Sequence, residues 1–130
     1  MSHGPVTDFL ARNGRTLRKL CRAGFAISIL AIVVLSLLPG DDLPDVELSD
    51  KIGHLIAYAE IALLGILGYR ARTGTVLAAV AALGGVLEIG QMYVPGRSAD
   101  IVDFAVNGLG ILAGYAAARL AGMAFSASRA

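Results

Sequence analysis

Charge is scarce in this chain. Charged residues fill 16% of its 130 positions, where soluble domains carry about 25%, and most of them lie at the ends and in loops. A soluble helical bundle would show apolar stripes backed by polar outer faces. The run Ala26–Leu38 has only Ser28 and Ser36 to interrupt it, which argues against such a bundle. A single cysteine, Cys21, excludes an internal disulfide and leaves the redox compartment unread. It precedes the first apolar run, so it is not placed as a lipoprotein acceptor. Aromatics are 6% and do not interleave with a basic cluster, so no nucleic-acid surface is expected. There is no glycine-rich phosphate loop and no nucleophilic serine or cysteine motif. Internal repeats and low-complexity segments are lacking too.

What the chain has instead is hydrophobicity. It is 56% hydrophobic, with a mean hydropathy of +0.70. Four apolar runs stand out: Ala23–Leu38, Ile52–Tyr69, Val76–Val94 and Ile101–Ala118. The last three approach the roughly 20 residues that a spanning helix needs. The first is short, and Leu20, Cys21 or a snorkelling Arg22 would complete it. The fold class expected is all-α, an integral membrane bundle of four transmembrane helices. Pro39-Gly40 stops the first helix, Ser49 caps the second, and Thr73-Gly74 makes the next turn. Pro95-Gly96 ends the third helix and Asp100 caps the fourth. The loop between the last two helices is very short, so they form an antiparallel pair. Residues 1–22 read as a basic segment, 23–125 as the membrane domain and 126–130 as a tail, with Met1–Thr7 and Ser126–Ala130 frayed.

Orientation follows from the basic residues. Nine of the 11 Lys and Arg fall on one side: Arg12, Arg15, Arg18, Lys19, Arg22, Arg70, Arg72, Arg119 and Arg129. Only Lys51 and Arg97 fall on the other. The positive-inside rule places the basic side, and both termini, in the cytoplasm. The loop Pro39–Ser49, with Asp41, Asp42, Asp45 and Glu47, is then external. The first span has the basic leader and apolar core of a signal peptide. Leu37, Leu38 and Pro39 follow it in place of a small-residue cleavage site, which favours an uncleaved anchor.

The polar residues inside the runs gather at that same external end. On the second helix Lys51, His54 and Tyr58 share a face by their spacing of three and four. On the third, Glu88 and Gln91 are three apart, and Gly84 continues the stripe. On the fourth, Asp103, Asn107, Gly110 and Gly114 form one seam. At about 1.5 Å per residue, His54 lies roughly 6 Å from the start of its helix and Asn107 about 10 Å from its own. Glu88 lies about 9–10 Å in from Val94. Charged groups at such depths are costly in hydrocarbon, so their convergence points to a function.

The motifs Asp50-Lys51-x-x-His54-x-x-x-Tyr58, Glu88-x-x-Gln91 and Pro95-Gly96-Arg97-Ser98-x-Asp100-x-x-Asp103-x-x-x-Asn107-x-x-Gly110 occur in an order that resembles the VanZ-like family of small bacterial membrane proteins. The resemblance covers about residues 37–120. It implies a helical protein of the bacterial inner membrane and a link to low-level glycopeptide (teicoplanin) resistance. No biochemical mechanism comes with it. Glu60 departs from the pattern, where an apolar or small residue is expected.

Each residue also has a plainer reading. Asp50 and Asp103 sit in first helical turns, where a carboxylate meets the helix dipole favourably. That account suffices for Asp50. Tyr58 packs at the edge of the site. Gln91 and Asn107 can act as interhelical hydrogen-bond glue, and Gly84, Gly110 and Gly114 permit close helix approach. Arg97 contacts a headgroup or stays solvated in its loop. Glu88, well inside the apolar zone, must be protonated or paired with His54, Lys51 or Arg97. Glu60, turned about 240° from His54, reads as hydrogen-bonded to another helix or a second protomer and takes no site role.

Glu88 and His54 are thus the candidate catalytic pair. Lys51, Tyr58, Gln91, Arg97, Asp103 and Asn107 are the candidate binding residues. One histidine and two carboxylates without ligand spacing do not suggest a metal, and no cofactor is expected. The partner expected is a membrane lipid or lipid-linked envelope precursor, bound or modified through its headgroup. The basic N-terminal tail suits anionic lipid. The alternatives are an intramembrane acid/base enzyme using Glu88 and His54, or a proton-coupled transporter or flippase subunit. The last would need a polar path to the cytoplasmic side, where only Ser28 and Glu60 are on offer, and a unit this small would have to form a homo-oligomer.

Overall fold

The computed structural model describes residues 4–40 and 47–127. Asp41, Asp42 and Asp45 of the acidic loop lie outside them, as do residues 1–3 and 128–130. Four helices make up the molecule: α1 (Pro5–Leu37), α2 (Glu47–Gly68), α3 (Thr73–Gln91) and α4 (Ile101–Ala127). All four are long and apolar enough to cross a membrane.

The described helix boundaries shift several expected ones. α1 runs unbroken from Pro5, so the segment expected to fray is helical as far as its described part extends. Proline is well placed there, because the first helical N–H needs no partner. The first span thereby gains length, and residues 12–37 form its apolar stretch. α2 begins at Glu47, which puts Ser49 inside the first turn and not ahead of it. Thr73 and Gly74 belong to α3, and the reversal is made by Tyr69 and a 3-10 turn over Arg70–Arg72. The residues of α4 continue to Ala127, into what reads as a tail. Asp100 does cap α4, its carboxylate accepting from the Val102 N–H at 2.8 Å.

α2 is the hub, touching α1, α3 and α4. Its most extensive packing is on α4, more than the sequence neighbours α3 and α4 have with each other. Lys51 meets Asp103 and His54 meets Asn107. One turn further along each helix, the Leu55 carbonyl faces Gly110 and the Ala59 carbonyl faces Gly114. The register advances together along both chains, so α2 and α4 run parallel. Glycine is required on α4. A β-carbon at Gly110 would come within 2.6 Å of the Leu55 oxygen, and one at Gly114 would collide with the Ala59 oxygen.

The core of the bundle consists of Ile32, Tyr58, Ile61, Ala62, Ile66, Val76, Val80, Leu87, Ile111 and Ala118. Outside it, Ile27, Leu30, Val34, Ile56, Val86, Ile89, Leu109 and Leu112 are exposed. Exposed apolar surface on that scale suits lipid, not water. At the end away from the polar cluster, α1 is fastened to α2 by Arg22. Its Nε donates to the Gly68 carbonyl at 2.9 Å, and its guanidinium lies 4.7 Å from the centre of the Tyr69 ring. Glu60 is exposed and accepts a hydrogen bond from Ser28 Oγ on α1 at 3.2 Å, so its partner is a neighbouring helix of the same chain.

Gly114→Leu, which drives a side chain into the α2 backbone, will lower the unfolding free energy in detergent by about 1–3 kcal/mol. Gly108→Ala, whose β-carbon would meet nothing within 4 Å, will leave it unchanged or raise it. Steric-trap or SDS unfolding of the two variants checks the contrast.

Candidate functional site

The first turns of α2 and α4, the last turn of α3 and the loop after it share one end of the bundle with the last turn of α1. On that end the chain buries Ser36, Glu88, Gln91, Asp103 and Asn107. Buried polar groups are normally hydrogen-bonded, and Asp103 and Asn107 find partners in Lys51 and His54.

Lys51 is the first link. Its Nζ lies 3.3 Å from Asp103 Oδ1 and 3.6 Å from Asp100 Oδ2. Asp103 is largely shielded and Lys51 about one-third exposed, so the pair is stronger than a surface bridge but still screened. His54 is the second link. Its Nδ1 lies 3.0 Å from Asn107 Oδ1. An amide oxygen only accepts, so His54 Nδ1 carries the proton and donates. The other ring nitrogen, Nε2, faces Asp50 Oδ1 at 3.8 Å. Tyr58 stacks parallel to the His54 ring with centres 6.4 Å apart, and its own ring fills the notch left by Gly84.

Glu88 is the third link, 7% exposed. Its carboxyl group interacts with Asp103, His54, the Asn107 side chain and the Asp100 backbone N–H. Glu88 Oε2 and Asn107 Nδ2 nevertheless have no hydrogen-bond partner, although both are fully enclosed. They approach without reaching hydrogen-bond geometry. The Asn107 amide places its oxygen on His54 and leaves its nitrogen without a hydrogen bond. No direct hydrogen bond or ion pair joins Glu88 to His54 among the described residues. Asn107 stands between them, so the acid/base couple is an indirect one.

Beside this network is a pocket of about 230 Å³. Ile32, Leu35 and Ser36 of α1 form one wall, and Asp50, Gly53, His54 and Ala57 of α2 form another. Gln91 and Arg97 close it. Arg97 also works as a cap. Its Nη2 donates to the Leu35 carbonyl at 2.9 Å and its Nε to the Leu38 carbonyl at 3.3 Å. These are end-of-helix carbonyls with no partner in α1 itself. The Gly96 backbone, at φ 73°, turns the loop that delivers Arg97. Gly40 meets that loop, donating its N–H to the Pro95 carbonyl at 3.1 Å.

The structure therefore brings together Lys51, His54, Tyr58, Glu88, Asp103 and Asn107 as one network, with Gln91 and Arg97 on the pocket side. Two residues not singled out as site candidates join them. Asp50 lines the pocket, where the helix-dipole reading gave it no further role. Ser36 is buried and lines the same pocket, although as a lone serine in an apolar run it carries no spacing signal. Asp50, His54 and Asp103 each place a ligand-capable atom within 4.8 Å of the others.

Residues 22–122 match the family model described as VanZ/LLP1. No curated protein and no solved structure matches the chain.

A double-mutant cycle of Lys51→Met and Asp103→Asn will show a coupling of about 1 kcal/mol, at the top of the roughly 0.2–1 kcal/mol typical of exposed pairs. Unfolding of the four proteins in detergent measures it. A coupling near zero would mean that Asp100 holds Lys51 alone.

Proposed function

The chain belongs to the VanZ/LLP1 family, and we propose on that footing that it binds the polar headgroup of a cell-envelope lipid or lipid-linked peptidoglycan precursor at the pocket beside His54. The observation that carries this reading is the lining itself. Ile32 and Leu35 offer apolar surface to the start of a lipid chain, while Gln91 and Arg97 offer donors to a headgroup. At about 230 Å³ the pocket is smaller than the roughly 300–1,000 Å³ of drug-sized ligand sites. A phosphate-sized headgroup suits it better than a whole disaccharide-peptide. Arginine favours phosphate through its planar pair of donors, and two of the Arg97 nitrogens are already held by α1, which fixes its direction.

Both termini are cytoplasmic in this reading, and the pocket opens at the extracytoplasmic face of a bacterial inner membrane. The asymmetry of Lys and Arg supports that orientation. Occupancy of an envelope lipid there would fit the link to glycopeptide resistance that the family resemblance implies.

Native mass spectrometry of the protein with its co-purified lipids tests the reading. An anionic or prenyl-phosphate lipid will be retained, and Gln91→Leu or His54→Ala will weaken its retention about tenfold, close to 1.4 kcal/mol. Equal retention of neutral lipids by all three proteins would sink it. In cells, Glu88→Ala will abolish any teicoplanin protection while the protein still inserts. A reporter fused after Ala130 will report a cytoplasmic location, and periplasmic activity would reverse the orientation.

A further inference from the structure

His54 presents a problem that the headgroup reading does not solve. Its Nδ1–H is committed to Asn107 Oδ1 at 3.0 Å. In the neutral ring this leaves the Nε2 lone pair facing the Asp50 carboxylate at 3.8 Å. Two acceptors facing each other need a donor or a cation between them, and Asp50 is half exposed. Asp103 brings a second carboxylate to the same point, with all three ligand atoms within 4.8 Å of one another. Close to them Glu88, 7% exposed, keeps an enclosed oxygen with no hydrogen-bond partner and is near enough to act electrostatically on both Asp103 and His54. Among the described residues three carboxylates (Asp50, Asp100 and Asp103) thus meet two cations, Lys51 and Arg97. Arg97 directs its guanidinium to the α1 carbonyls, so the balance at the His54 end is negative.

We propose that Asp50, His54 Nε2 and Asp103 form a binding site for a divalent transition cation, Zn²⁺ or Mn²⁺, supported from behind by Asn107 and Glu88. The donor set selects the class. Imidazole nitrogen favours Zn²⁺ and its neighbours in the first row, whereas Mg²⁺ and Ca²⁺ take oxygen donors throughout. Nitrogen and carboxylate ligands sit about 2.0–2.2 Å from Zn²⁺, so atoms spread over 4.8 Å need close by under about 1 Å around an ion. The Asn107 bond to Nδ1 is the arrangement that holds ligating histidines, which donate their second ring N–H to an oxygen and so aim the free nitrogen at the metal. Three protein ligands leave an open position, and His54 and Asp50 both border the pocket. The ion then supplies the positive charge that a phosphate oxygen needs beside Asp50. Lys51 holds Asp103 in the absence of metal and can pass to Asp100, already 3.6 Å away.

Cation binding does not require the headgroup reading, because it is measured in detergent micelles without added lipid. After chelation, titration calorimetry with Zn²⁺ and elemental analysis of the re-isolated protein will find one ion per chain, undisplaced by excess Mg²⁺. His54→Ala and Asp50→Asn will each abolish stoichiometric binding. Asn107→Leu, which frees the ring without removing a ligand, will weaken it about 10–100-fold. Lys51→Met, which removes the ammonium competing for Asp103, will tighten it, and this gain cannot come from a misfolded protein. Circular dichroism and elution volume confirm the fold of every variant. No binding by the intact protein would leave a proton between His54 and Asp50 and overturn the proposal. So would binding that survives both His54→Ala and Asp50→Asn.

Discussion

The backbone-to-backbone approach of α2 and α4 holds the rest of the molecule in place. At Gly110 and Gly114 the surface of α4 is hollow enough for the Leu55 and Ala59 carbonyls to enter. In lipid there is no hydrophobic gain from burying leucine against leucine, so helices associate by close van der Waals fit and interhelical hydrogen bonds. Small residues maximise both. The contact also sets the rotation of each helix about its axis. Once the glycines face α2, Asn107 and Asp103, on the same seam, can only face His54 and Lys51. The polar network is therefore a consequence of the glycine contact, and the network's hydrogen bonds in turn lock its register.

The third helix enters this pair as a lid on one side. Tyr58 is 1% exposed and packs into the notch at Gly84, which sets the depth of α3 and carries Glu88 to the level of Asn107. The first helix is more loosely held, with Cys21, Ile32 and Ser36 as its buried residues. Among the described residues its polar fastenings are Arg22 on Gly68 at one end, Ser28 on Glu60 midway and Arg97 on the last turn at the other. The pocket forms where this less committed helix faces the rigid pair.

Much of this is legible in the sequence. Apolar run length gives the four helices, because a span in hydrocarbon must satisfy its own backbone. Spacing of three and four gives the shared faces of Lys51, His54 and Tyr58 and of Asp103, Asn107, Gly110 and Gly114. The glycines announce close packing, but not that α2 is the partner of α4. That depends on three-dimensional order, and a short loop suggests α3 instead. Helix ends are read less well. Ser49 looks like a cap yet lies within the first turn of α2, and Thr73-Gly74 looks like a turn yet opens α3, because propensity at one position yields to the packing of a whole span. The cap on α1 is invisible to local reading, since Arg97 lies about 60 positions away, as does the gathering of Asp50 with Asp103.

That distance has a bearing on biogenesis. The carbonyls of Leu35 and Leu38 acquire their donor only from a residue 62 and 59 positions later in the chain. During synthesis α1 and α2 enter the bilayer well before Arg97 and α4 exist. Until then the end of α1 has no latch, and the polar face of α2 has no counterpart. The latch on α1 and the polar network of α2 therefore wait on the arrival of Arg97 and α4.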